Sequence, residues 1–219
     1  MRAIFMGAAG GNDSDLKKIL RKIKVKSSDL LVGVDGGTDT WFRLRYRPDF
    51  AIGDWDSLKN RKLLGELPHL SLPQAKDQGD LACAIKAARY LYPGLREMIC
   101  LDVIGGRRDH ELAMIFDLAQ ACSKPGKALE ISALSRDANY HFVDPKMGTW
   151  KLPPAATPGS TVSVFAVGGP ARGVTLRGCK FSLKNGSLRP SSRGLSNRVT
   201  AREPSVSVRS GALMIVLCA

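Results

Sequence analysis

The residues of this chain best suited to chemistry are aspartates set beside glycines, and they occur in four clusters. These are Asp35-Gly36-Gly37, Gly53-Asp54-Trp55-Asp56-Ser57, Lys76-Asp77-Gln78-Gly79-Asp80 and Gly105-Gly106-Arg107-Arg108-Asp109-His110. Carboxylates gathered at one place repel unless a cation lies between them. Oxygen ligands with no supporting cysteine or histidine suit magnesium, which bridges carboxylates and phosphates. Glycines let the backbone approach a ligand closely, and helices opening at such loops turn N–H groups toward phosphate. Arg107 and Arg108 would neutralise charge on a polyphosphate. Together these residues imply a magnesium–nucleotide and phosphoryl-type transfer driven by positioning and electrostatics. Each cluster alone has a plainer reading. Asp-Gly-Gly is a common turn, Asp-x-Asp serves as a turn with a cap, Asp80 suits a helix N-terminus, and His110 suits a helix surface. Neither a P-loop nor a dinucleotide fingerprint is present, and Gly7, Gly10 and Gly11 do not supply one.

Such loops act together only if the fold brings them to one edge. In the first half, residues 2–9, 29–35, 50–52, 69–72 and 98–104 read as strands or extended segments. Residues 38–46, 58–67, 81–91 and 111–122 read as helices. So does the stretch where Leu16, Ile19, Leu20 and Ile23 recur at helical spacing. Strand–helix alternation predicts a parallel sheet covered on both faces, with ligands beyond the carboxyl ends of its strands. From about residue 128 helical periodicity is lost, and β-rich runs follow at 128–134, 161–167, 173–183, 205–211 and 212–217. Pro153-Pro154, Pro158-Gly159, Gly168-Gly169 and Asn185-Gly186 punctuate them, and Asn-Gly is a strong hairpin signal. The expected fold class is α/β: an N-terminal, mostly parallel α/β sheet domain over residues 1–126, then a C-terminal antiparallel β-sandwich domain over residues 127–219.

Composition narrows the function classes. A chain of 219 residues, 44% hydrophobic and 24% charged, can bury a real core and gives no case for disorder. No apolar run approaches the ~20 residues of a membrane helix. Residues 3–9 run straight into a Gly-rich turn instead of forming a signal-peptide core, so a cytoplasmic location without membrane attachment is expected. The five cysteines are odd in number, widely spaced and without a C-x-x-C pair, which predicts buried thiols in place of zinc or disulfides. The net charge of +13 calls for an anionic partner. Much of the excess lies in Lys17, Lys18, Arg21, Lys22, Lys24 and Lys26, read as the solvated face of the first helix.

The order of the motifs resembles the thiamine pyrophosphokinase family. That family runs Asp-Gly-Gly, Pro-Asp, Gly-Asp-x-Asp-Ser, Lys-Asp-x-x-Asp, Gly-x-Arg-x-Asp-His and finally Ser-Asn in a β domain. Here these are Asp35-Gly36-Gly37, Pro48-Asp49, residues 53–57, 76–80 and 105–110, and Ser196-Asn197. The resemblance implies transfer of pyrophosphate from ATP to the thiamine hydroxyl, giving thiamine diphosphate and AMP, with Mg2+ as cofactor. It implies catalytic and metal-holding roles for Asp54, Asp56 and Asp80, with Asp35 beside them. Lys76, Asp77, Arg107, Asp109 and His110 would lie near ATP. Gln78 and Asp35 would lie near the substrates, and Ser196 and Asn197 would help hold thiamine. A homodimer with active sites between subunits is also implied.

Three positions depart from the family pattern. Gly79 replaces a usual Thr, Asp39 replaces a usual Asn, and no aromatic residue follows Asn197 to stack on a substrate ring. Trp41, Trp55 and Trp150 are read as packing residues. Two competing readings are a magnesium–nucleotide transferase with another acceptor and a basic nucleic-acid-binding protein. The second needs exposed aromatics among basic residues, and the basic helix carries none.

Overall fold

The computed structural model describes residues 1–218, which divide into two compact units. One holds Met1–Asp117 with Ala133–Arg136; the other holds Leu118–Ser132 and the chain from Asp137 onward. The first unit is built on strands β1 (Arg2–Met6), β2 (Leu30–Val34), β3 (Phe50–Gly53), β4 (His69–Ser71) and β5 (Glu97–Leu101). They are parallel and lie in the order β4-β3-β2-β1-β5. The chain thus steps outward from β1 to β4 and returns to the other side of β1, which makes the carboxyl end of β1 a switch point where a crevice opens.

Sequence pattern explains this layer. Ala3, Ile4, Phe5 and Met6 are all fully buried, as expected for a strand covered on both faces. Ile4, Met6, Leu31, Ile99 and Leu101 pack with Leu16 and Leu20 of α1 (Asp13–Ile23) and with Trp41 of α2 (Gly37–Arg43). Each such apolar side chain contributes about 1.5–3 kcal/mol by leaving water. Helix α1 starts at Asn12, whose side chain accepts the Asp15 N–H at 2.9 Å, and its basic residues stay exposed, as the amphipathic pattern predicts. Helix α3 (Asp80–Leu91) buries Leu81, Ala84, Ile85 and Ala88. Gly37 is indispensable at the start of α2, because a Cβ there would land on the Met6 carbonyl oxygen.

Strand β6 (Glu130–Leu134) follows α4 (Arg108–Ser123) and is divided between the units. The second unit contains β7 (Ala138–Val143), β8 (Trp150–Lys151), β9 (Thr161–Arg177), β10 (Leu183–Leu188), β11 (Asn197–Arg198), β12 (Ser205–Ser207) and β13 (Ser210–Cys218). All their pairings are antiparallel, with order β7-β13-β9-β12-β8 and with β10 and β11 also on β9. Val162, Val164, Val174, Leu176, Leu213 and Ile215 form its core. The expected α/β fold, with parallel strands first and antiparallel strands after, is observed.

Several local expectations are corrected. Residues 58–67 form only a 3-10 turn at Arg61–Gly65, with Leu58, Leu63 and Leu67 buried at irregular spacing. Gly168-Gly169 does not separate two strands: at φ 71° and 142° the pair bends β9, which runs on for 17 residues. Asn185-Gly186 is not a hairpin turn either. Asn185, at φ 52°, makes a bulge inside β10, while the connection from β9 falls at residues 178–182. A dipeptide suited to positive φ serves a bulge as well as a turn. β5 stops at Leu101 because Asp102 takes φ 52°, and β7 was not anticipated at all. Among the described residues no helix is long and apolar enough to cross a membrane.

Candidate active site

A cleft of about 530 Å³ opens at the carboxyl edge of the parallel sheet. Gly7, Ala8 and Ala9 follow β1, Asp35 follows β2, Asp54, Asp56 and Ser57 follow β3, and Asp102 and Val103 follow β5; all line it. Gly79 and Asp80 at the start of α3 and Arg107 and His110 around the start of α4 complete the wall. Two helix N-termini therefore face the same space as the acids.

The acids are held in strained but well-supported positions. Asp35 sits at φ 47°, with its N–H donating to the Ile52 carbonyl at 2.9 Å. Its Oδ2 accepts from the Ser57 N–H at 3.2 Å and from the Ser57 hydroxyl, while Oδ1 is buried without a partner. Gly53 gives this turn room: a Cβ there would come 2.8 Å from the Asp35 Cα. Oxygen atoms of Asp35, Asp54 and Asp56 lie within 4.8 Å of one another. Lys76 Nζ donates to Asp54 Oδ2 at 2.6 Å and lies 3.1 Å from Asp80 Oδ1, off the direction of a hydrogen bond.

Charges follow from this crowding. Asp56 is pushed above the usual carboxylate range by burial and by the neighbouring carboxylates of Asp35 and Asp54. Burial likewise raises Asp80 against the pull of Lys76. Asp54 is held low by its hydrogen bond to Lys76. Burial works against the Lys76 charge, yet Asp54 and Asp80 outweigh it and raise its pKa. Lys76 is thus the internal counter-ion of a site with surplus negative charge.

The remaining expected residues are placed as follows. Asp77 is exposed, and Gln78 accepts a hydrogen bond from Lys86 through Oε1. Arg107 and Asp109 form an exposed pair at 2.6 Å, with Asp109 lowered to about 2 by its hydrogen bond to Arg107. Pro48-Asp49 is structural, since Asp49 Oδ2 accepts the Leu31 N–H at 2.7 Å. In the second unit, Ser196 is exposed at φ 56°, its N–H donating to Ser163 Oγ at 3.0 Å. Asn197 is only 4% exposed, and its amide clamps Phe181: Oδ1 accepts the Phe181 N–H at 3.0 Å and Nδ2 donates to the Phe181 carbonyl at 2.8 Å. The Phe181 ring is 66% exposed beside Leu195, at a pocket of about 240 Å³ lined also by Val164, Leu176 and Leu183.

Two family models match the chain: the thiamin pyrophosphokinase catalytic domain over residues 21–130, and the thiamin pyrophosphokinase vitamin B1 binding domain over residues 149–213. The chain belongs to the thiamin pyrophosphokinase family. Its activity is that of a thiamine pyrophosphokinase, or thiamine diphosphokinase. Solved structures with the same fold include a thiamine pyrophosphokinase from Bacillus subtilis, 24% identical, with TM-score 0.79 over 100% of this chain and 99% of that one. One from Geobacillus thermodenitrificans is 25% identical, with TM-score 0.79 over 100% and 98%. One from Candida albicans is 13% identical, with TM-score 0.72 over 100% and 89%. A search of the curated proteins finds no match.

Against the family pattern, the three departures acquire physical meaning. Asp39 is spent on structure, its two oxygens accepting the Lys59 and Asn60 N–H groups at 2.6 and 3.2 Å. Gly79 has ordinary extended geometry, and a Cβ there would meet only Met114 and Asp117 at 3.5 and 3.6 Å. No aromatic residue follows Asn197, and its amide instead clamps the backbone of Phe181, sixteen positions upstream. Trp41, Trp55 and Trp150 are buried packing residues, as expected. Sequence reasoning missed Phe181 and Asp102. The signal for Asp102 was available, as the one charged residue within the otherwise apolar run 98–104.

Proposed function

We propose that the protein binds MgATP in the cleft of the first unit and transfers its terminal pyrophosphoryl group to thiamine held by the second unit. The observation that carries this reading is the Asp35–Asp54–Asp56 cluster at the crevice, with Asp35 Oδ1 buried and unsatisfied. Three hard oxygen donors with an orphaned lone pair fit magnesium. Asp54 and Asp56 would hold it, with Asp35 beside them and Asp80 across Lys76. When bound there, the metal would supply positive charge to offset that of the phosphates. The protein's own groups do the rest. The N-termini of α3 and α4 direct N–H groups at the phosphates, and His110 and Arg107 flank them. The thiamine hydroxyl gives its proton to a cleft carboxylate as its oxygen bonds to the β-phosphorus. The bond to the bridging α–β oxygen breaks, and AMP leaves.

The packing around Asn197 supports a reading of the second unit as the thiamine side of the site. Phe181 offers the flat apolar face for thiamine, Asn197 holds it in place, and Ser196 lies at the edge. The proposed domain limits remain residues 1–126 and 127–219. A homodimer with active sites completed between subunits is supported by large exposed apolar side chains: Leu112 and Phe116 on α4, and Phe181 and Leu195 in the second unit. The proposed location is the cytoplasm, where ATP is made available to such an enzyme.

The test is incubation with thiamine and MgATP, a coupled AMP readout, and Asp54→Asn as control. AMP formation matched by thiamine diphosphate and lost in the variant is expected. ADP in place of AMP would mean single phosphoryl transfer and would overturn the assignment.

A further inference from the structure

Asp102 is an acid of the cleft that stands apart from the Asp35–Asp54–Asp56 cluster. It follows β5, takes φ 52° and is 8% exposed. Its carbonyl accepts the Ala9 N–H at 2.9 Å, and its Oδ1 accepts the Gly11 N–H at 2.7 Å. The residue thereby ties the loop after β1 to the end of β5. Gly11 has no room for a side chain, since a Cβ would lie 2.8 Å from Asp102 Oδ1. Such an arrangement aims a carboxylate at a fixed place in the wall.

Its place in the sheet decides what it can meet. The magnesium-type cluster follows β2 and β3, whereas Asp102 follows β5, on the other side of β1. Two to three strand spacings separate them, roughly 10–14 Å. A carboxylate only accepts hydrogen bonds, and so do phosphate oxygens, so Asp102 has nothing to offer the triphosphate. The donors of a nucleoside triphosphate are its ribose hydroxyls and, in adenine, the amino group. Moving away from the phosphates, the ribose comes first. A carboxylate has about four acceptor positions, so the Gly11 N–H leaves capacity for a hydroxyl. We propose that Asp102 recognises the ribose of the bound nucleotide through a charge-assisted hydrogen bond from a hydroxyl. This inference rests on the cleft being the nucleotide site.

The experiment measures equilibrium binding of MgATP, 2′-deoxyATP, 3′-deoxyATP and ITP by calorimetry, with full-length wild-type protein and Asp102→Asn. Steady-state constants for ATP and thiamine are measured beside it. Asn keeps an acceptor for Gly11, tolerates positive φ and turns the other oxygen into a donor. Wild type should bind ATP about ten- to a hundredfold more tightly than one of the deoxy analogues. In Asp102→Asn that preference should shrink to about threefold or less, with KM for thiamine and the melting temperature unchanged. Full ribose discrimination retained in the variant, or none in wild type, would overturn the proposal. Loss of discrimination against ITP in its place would move the contact to the base and also overturn it. A wild-type protein that binds no ATP at all would sink the parent reading, a result distinct from ATP binding without ribose selection.

Discussion

His141 should make the second unit sensitive to acid. It lies in β7, 8% exposed, with its ring 5.2 Å from that of Trp150 and neither ring nitrogen hydrogen-bonded. Burial pushes its pKa from 6.5 down to about 4. Below pH 6.5 the unfolded chain takes up a proton that the folded one refuses until about pH 4. Stability is therefore fully present above pH 6.5 and is lost as the pH falls through this window. At about 1.4 kcal/mol per pH unit, the window from 6.5 down to about 4 is worth about 3.5 kcal/mol in all, of which about 2 kcal/mol is gone by pH 5. Urea unfolding at pH 7 and pH 5 reads this directly when wild type is compared with His141→Phe, which keeps a ring against Trp150. The loss between the two pH values should be about 2 kcal/mol smaller in the variant. His141→Leu guards against misfit of the larger ring. Equal losses in wild type and both variants would refute the reasoning.

Three further outcomes are expected. Lys76→Met removes the counter-ion of Asp54 and Asp80, so half-saturating magnesium should fall by about threefold or more while kcat drops. An unchanged magnesium titration would show that Lys76 does not compete for the site. Phe181→Leu keeps apolar area but removes the ring face, so KM for thiamine should rise by about three- to tenfold with KM for ATP constant; a constant KM for thiamine would exclude Phe181 from the substrate site. Gly79→Thr adds a capping hydroxyl at the start of α3, where the geometry is open. It should raise the melting temperature by about 1 °C, the effect of a few tenths of a kcal/mol, and scanning calorimetry would show whether it lowers it instead.

The parallel layer was legible because its signals are local and redundant. A strand such as β1 is apolar from Ala3 to Met6, the helices between strands repeat at 3.6, and each acidic loop follows a strand. What stayed hidden depends on contacts far apart in sequence. That Asp49 and Asp39 are spent on backbone N–H groups 18 to 21 residues away is invisible to spacing. Asn197 reads from its motif as a substrate contact, whereas its side chain is committed to Phe181. Asn185-Gly186 shows the limit from the other side. The dipeptide states a preference for positive φ, but only the partner strand decides whether that becomes a turn or a bulge.

The site itself concentrates what a stable protein avoids. Asp35, Trp55 and Asp102 are three of the seven non-glycine residues with positive φ among the described residues, and all three lie just beyond the carboxyl ends of β2, β3 and β5. The same edge gathers Asp35, Asp54, Asp56 and Asp80, two of them with raised pKa values, around a single lysine. Strain of this kind persists only where the surroundings over-determine it. Here the supports are identifiable: the Ser57 hydroxyl and amide on Asp35, the Trp55 indole on Ser71 at 2.8 Å, and the Gly11 amide on Asp102. The supports come from separate segments, two loops and the last residue of β4, so Asp35 and Asp102 cannot shift without breaking that frame. A crevice that holds its carboxylates together against their own repulsion is already shaped for a cationic ligand before any arrives.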